Sequence, residues 1–206
     1  MHGRYLVRAP ADPSPRPLLL GFHGYGEDAA DHLGELVRIP NADRWLLVAV
    51  QALHPFYARN NERVVASWMT RLDREHAIAD NIVYVGRVLH DVRRRYATMA
   101  PLVFCGFSQG SAMAYRAAAQ YAADGLIVLA GDLPPDVAAG PTAPLPPTLI
   151  GRGLRDGWYT EAKQEKDRQT LEALGVRPEI CVFDDGHVWS DPFREAAANM
   201  LKRVFV

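Results

Sequence analysis

The sequence predicts an α/β fold, a mostly parallel central sheet with helices on both faces. Three observations lead there. Six short runs are apolar along their whole length, as strands buried on both faces are. Helical patterns lie between those runs, and strands alternating with helices give parallel pairing. No internal repeat and no linker divides the 206 residues, which suit one domain over 1–206 with a substantial core.

In chain order, "RYLVRA" (4–9) reads as an edge strand, and "PLLLGF" (17–22) and "WLLVAV" (45–50) as the first two buried strands. "LVFCGF" (102–107), "LIVLAG" (126–131), "TLIG" (148–151) and "EICVFD" (179–184) complete the six. The clearest helix carries Ile78, Ile82, Val85, Leu89 and Val92 at steps of four, three, four and three. Others are expected near 28–38, 109–122, 159–174 and 192–204. Asp191 before Pro192 reads as an N-cap with proline at the first helical position. Gly175 reads as a C-terminal stop. The proline-rich "LPPDVAAGPTAPLPP" (133–147) forbids a central strand and reads as a surface loop, a passive connector beside the site.

Composition removes several classes of function. A net charge of −1 gives no reason to expect a nucleic acid or an anionic membrane as partner. No segment approaches the roughly 18 consecutive apolar residues of a membrane span. The prolines that break up the first 22 residues do not fit a signal peptide, so the expectation is a cytoplasmic protein. Cys105 and Cys181 lie in apolar runs and read as buried small hydrophobes, not as a disulfide or part of a zinc site.

Chemistry enters at "VFCGFSQGSA" (103–112), where Gly106-Phe107-Ser108-Gln109-Gly110 matches G-x-S-x-G between a strand and an alanine-rich helix. A serine on such an elbow is pushed outward, and the residues two before and two after it come too close to carry side chains. A serine hydroxyl is a weak nucleophile and needs a base; the base needs a third group to fix its tautomer. Of seven histidines, His187 alone follows the last strand ("FDDGHVWSDP") at a strand carboxyl end, on the same side as Ser108. His2, His32, His54, His76 and His90 read as solvated positions. Asp156, after "TLIG" in "GRGLRDGWYT", is favoured as the acid; Asp132, after "LIVLAG", is the rival. Asp184 and Asp185 are too close in sequence to His187 to reach behind its ring.

The glycine-rich turn in "LLLGFHGYGED" can aim a backbone N–H at the site, with His23 as a structural hydrogen-bonding residue. The Gln109 amide, at a helix N-terminus, would supply a second donor for an oxyanion. The same turn fits the dinucleotide pattern G-x-G-x-x-A over 24–29. That pattern needs an acid at the end of the next strand, where this chain has Gln51, and it leaves Ser108 and His187 without a role. Phe56, Tyr57, Trp68, Met69, Leu133, Trp158 and Trp189 are the candidate pocket walls, although each also suits ordinary core.

These motifs resemble those of the compact serine α/β-hydrolases, in particular the phospholipase/carboxylesterase family that includes acyl-protein thioesterases. "HGYGED" resembles the family's H-G-x-G-[DE] turn, and "GFSQGSAMA" its nucleophile elbow. "LAGDLPP" is similar to the segment after the following strand, "RDGWYT" to the acid loop and "DDGH" to the histidine loop. The resemblance implies a compact α/β-hydrolase fold without a large lid domain and catalytic Ser108, Asp156 and His187. It further implies an oxyanion hole of the Tyr25 and Gln109 amides, and no cofactor or metal. Substrate binding is expected at Trp68, Met69, Leu133, Trp158 and Trp189. Trp68-Met69 stands where the family usually has tryptophan-phenylalanine, and "DDGH" replaces a more common glycine-glycine-histidine. The expected activity is hydrolysis of a small-molecule carboxylic ester with a short- to medium-chain acyl group. Lysophospholipase or thioesterase activity is the near alternative, and a non-catalytic ligand-binding protein the distant one. A homodimer is left open.

Overall fold

The computed structural model describes residues 3–59, 62–140 and 142–205. A seven-stranded sheet forms from β1 (Tyr5–Arg8), β2 (Arg16–Phe22), β3 (Leu46–Val50), β6 (Thr98–Phe107), β7 (Gly125–Leu129), β8 (Thr148–Gly153) and β9 (Glu179–Phe183). β4 (His54–Tyr57) and β5 (Val64–Ser67) form a separate hairpin. The strand order is β1-β3-β2-β6-β7-β8-β9, with β1 antiparallel to β3 and every other pair parallel.

The apolar runs explain this order. Leu18, Leu19, Leu20, Val48, Val103, Phe104, Ile127 and Val128 are almost wholly buried, because helices cover both faces of the strands that carry them. α1 (Ala29–Val37) and α6 (Asp191–Val204) lie on one face. On the other are α2 (Arg74–Arg95), α3 (Gln109–Gln120), the short α4 (Pro135–Ala138) and α5 (Glu161–Ala173). The buried Arg194 guanidinium joins α6 to α1 through Glu35, and the buried Arg116 grips both carboxylate oxygens of Asp136 at 2.7 and 2.8 Å, fixing α4 to α3.

Four expectations change. β9 is an edge strand rather than one buried on both faces. Ile180 and Val182 are exposed, Cys181 is half-buried, and β8 is the one strand paired with β9 among the described residues. The α6 N-cap is Ser190, whose hydroxyl accepts the Phe193 amide, so Asp191 is already helical. The segment 133–147 is no passive connector among its described residues: it contains α4 and buries Leu133, Val137 and Leu145. His32 is buried, because Ala29, His32 and Leu36 form the inward stripe of α1. Gly175 does end α5, at φ +85°, with Val176 N–H donating back to Leu171.

Register brings the strand ends together. Phe22 lies opposite Gly106, and Phe107 opposite Leu129, so the loops after β2, β6 and β7 leave the sheet side by side. The elbow needs this closeness. A Cβ on Gly110 would overlap the Phe22 carbonyl, and one on Gly106 would overlap the Gly110 carbonyl. Gly110→Ala is therefore expected to cost about 1–3 kcal/mol, the range for overpacking a tight interior site. Gly34→Ala, in α1 with open space around it, should stabilise by about 0.5–1 kcal/mol. Urea denaturation of both variants checks the opposite signs, and equal midpoints would contradict the steric account.

Candidate active site

Ser108 is the point where β6 turns into α3. Its backbone has φ 52° and ψ −119°, a conformation that costs a non-glycine residue about 1–3 kcal/mol. The surroundings hold it there: Ser108 N–H donates to Leu129 O at 2.8 Å, and the Ser111 hydroxyl bridges Gly106 O and Leu129 O. The strained turn lifts the Ser108 side chain out of the sheet edge.

His187, in the loop after β9, meets it. His187 Nε2 lies 2.8 Å from Ser108 Oγ, and Nδ1 lies 2.8 Å from Asp156 Oδ2. Asp156 is buried, and its other oxygen accepts the Trp158 and Tyr159 amides at 2.7 and 2.9 Å. Both oxygens of this carboxylate are thus engaged, and its orientation toward the imidazole is fixed. Asp132 lies on the same cleft but pairs with Lys163 at 3.3 Å, and Asp184 and Asp185 face Arg155. None of the three has a hydrogen bond to His187 among the described residues.

An open cleft of about 1000 Å³ surrounds Ser108. Of the candidate wall residues, Met69, Leu133 and Trp158 line it. Trp68 and Trp189 do not. Trp68 is fully buried, with its indole N–H donating to His23 O and its amide to Gln109 Oε1; these bonds turn the ring into the core and leave Met69 facing the cleft. Trp189 lines a second, polar cleft of about 450 Å³ behind His187, with its ring against His32 and Phe107. Phe56 packs on the Tyr25 ring and Tyr57 is exposed; neither borders the Ser108 cleft. His2 lies outside the described residues, and His54, His76 and His90 are exposed.

The turn after β2 brings Tyr25 to the cleft beside Gln109, the first residue of α3, whose amide has no acceptor within its own helix. His23 braces this turn as a neutral ring, its Nδ1–H donating to Gly24 O at 2.7 Å and its Nε2 accepting Ala52 N–H at 3.1 Å. Burial lowers its pKa, in keeping with that tautomer.

Three supporting side chains were not singled out from the sequence. Glu27 accepts Gly24 N–H at 2.7 Å, and burial pushes its pKa up. The Gln109 amide group ties the Trp68-Met69 strand end to α3, its Nε2 donating to Met69 O at 2.8 Å. Asp167 accepts the Leu133 amide and the Tyr159 hydroxyl, each at 2.9 Å, while burial raises its pKa to about 6. Glu27 is the acid that ends "HGYGE", so it was visible as a pattern; Asp167 lies mid-helix with no such signal.

No protein-family model matches the sequence, and no curated protein matches it. Solved structures do. The chain has the α/β-hydrolase fold. It is similar to a carboxylesterase from Bacillus cereus (TM-score 0.78, 19% identity, covering 98% of this chain and 95% of that one). It is also similar to a phospholipase/carboxylesterase from Dyadobacter fermentans (0.74, 20%, 98% and 97%) and to acyl-protein thioesterase 2 from Zea mays (0.76, 15%, 100% and 100%). At these identities the likeness is one of fold.

His32 gives this face of the sheet a pH dependence. Burial, with the neighbouring His23 adding to it, pushes the His32 pKa down to about 3, whereas the unfolded chain titrates near 6.5. Below about pH 6.5 the unfolded state takes up a proton that the folded state refuses, so this contribution to stability falls as the pH drops. Asp167 works in the opposite direction between about pH 4 and 6, because its folded-state pKa is raised. Denaturation of wild type and His32→Leu at about pH 7 and about pH 4.5 isolates the histidine. The variant should lose less stability between the two, and equal losses would contradict a buried neutral His32.

Proposed function

We infer that the protein is a serine hydrolase that cleaves carboxylic esters with short- to medium-chain acyl groups through a Ser108-His187-Asp156 triad. The observation that carries this reading is the unbroken relay of two 2.8 Å contacts from Ser108 Oγ through His187 to Asp156. Solved esterases and a thioesterase of the same fold support it.

Asp156 accepts the Nδ1–H and selects the tautomer whose Nε2 can take the Ser108 proton as Oγ attacks the carbonyl. The Tyr25 and Gln109 amides receive the oxyanion, for which each preorganised donor is worth about 2.7–4 kcal/mol. His187 then protonates the leaving alcohol, and water repeats the sequence on the acyl-enzyme. Lysophospholipid or thioester cleavage would use the same atoms; the open, mainly apolar cleft accommodates soluble esters of modest chain length.

A p-nitrophenyl ester series from acetate to palmitate tests the assignment. Turnover should peak at short or medium chains and vanish in Ser108→Ala, and Asp156→Asn should lower kcat on the order of 10⁴-fold. No turnover on any ester, with folded Ser108→Ala indistinguishable from wild type, would overturn the reading and favour a ligand-binding protein on this fold. A severe loss at Asp132→Asn with a mild one at Asp156→Asn would move the acid. Glu27→Ala releases the Gly24 amide behind the proposed oxyanion donor. It should lower kcat about tenfold, the scale of one hydrogen bond to a charged group, with KM little changed. Glu27→Gln keeps an acceptor and should restore most of that rate.

A further inference from the structure

The charges on the Ser108 cleft are unequally compensated. Its acids are engaged: Glu27 holds the Gly24 amide and Asp132 pairs with Lys163. Its arginines, Arg71 and Arg74, make no side-chain hydrogen bond or ion pair among the described residues. The acid that Arg74 influences, Asp136, has both oxygens bound by Arg116.

The segment bearing the arginines is held in place. Met69 O receives bonds from Ser67 Oγ and Gln109 Nε2, the Thr70 hydroxyl bonds within its own turn to Leu72, and Asp73 enters α2 with φ 46°. Arg71 and Arg74 are therefore tethered through Met69 to the residue that follows Ser108. The apolar lining of the cleft includes Leu133 and Met69, and Arg116 links Met69 to Asp136 beside Pro134 and Pro135. His187 is held against Ser108 by Asp156, from the loop after β8. A leaving group must lie toward the imidazole that protonates it, so the acyl chain takes the apolar wall.

We propose that this cleft selects esters whose acyl chain ends in an anion, a carboxylate in the first instance, held by Arg71 and Arg74. The proposal rests on Ser108 being the nucleophile. An aliphatic segment lies on Met69 and Leu133, and the anion meets guanidinium groups that form paired, planar hydrogen bonds to carboxylates. A neutral chain of equal length gains only the first interaction.

The test compares p-nitrophenyl monoesters of glutarate and adipate with p-nitrophenyl valerate and hexanoate, each rate divided by its hydroxide-catalysed rate. The wild type should favour the anionic member of each pair in kcat/KM. Arg71→Ala/Arg74→Ala should lower that ratio about tenfold, the scale of a charge-assisted contact. Added salt should lower the wild-type ratio as well. A ratio that is the same in wild type and the double variant overturns the proposal. So does an arginine-dependent preference found only when the anion is on the alcohol, as in the butyrate ester of 4-hydroxybenzoate compared with phenyl butyrate. Valerate turnover that survives Ser108→Ala overturns the nucleophile assignment beneath it, and would be seen in the neutral series alone.

Discussion

The close approach of β2, β6 and α3 is the constraint on which the rest depends. Two positions without side chains, Gly106 and Gly110, let the chain reverse within one residue of the sheet edge while the carbonyls of Phe22 and His23 press against the new helix. Ser108 takes the strain of that reversal, and its N–H donating to Leu129 O and its carbonyl accepting Ser111 N–H oppose its release. A serine in a relaxed backbone would lie along the strand and face a neighbouring side chain. Here it faces solvent and His187.

Around the elbow, polar side chains hold loops rather than helices. Glu27 fixes the turn after β2, Gln109 the end of β5, and Asp167 both Leu133 and Tyr159. Tyr159 leads through its amide to Asp156, and Asp156 to His187. One buried hydrogen-bonded chain thus runs from the cleft wall at Leu133 to the imidazole. Partly satisfied, such a chain would destabilise the core; satisfied at each link, it fixes orientation.

The sheet was legible because its central strands are apolar on both faces, and no other element of that length reads so. The elbow was legible because steric crowding leaves a fixed spacing of glycines. Strand order singled out His187 and left Asp156 and Asp132 as the two candidate acids. The hairpin β4–β5 escaped notice: "HPFY" and "VVAS" are short and unevenly buried, and Pro55 argues against a strand. Trp68 and Met69 show another limit. The sequence placed both at the site, yet adjacent residues on an extended chain point opposite ways, and the choice lies with Gln109, forty residues away. His32 was readable in principle from its three- and four-residue spacing to Ala29 and Leu36, but a histidine on an inward stripe is indistinguishable from a solvated one until the partner surface is known.

β9 lends the relay its weakest support. Its one neighbour in the sheet is β8, and its outer side chains meet solvent. The central strands can hold the Ser108 elbow intact while the sheet margin frays. Opening at that margin would carry His187 away from a serine still poised on its turn. The local opening free energy of β9, rather than the global unfolding free energy, therefore sets how long the three side chains stay in register under heat or denaturant.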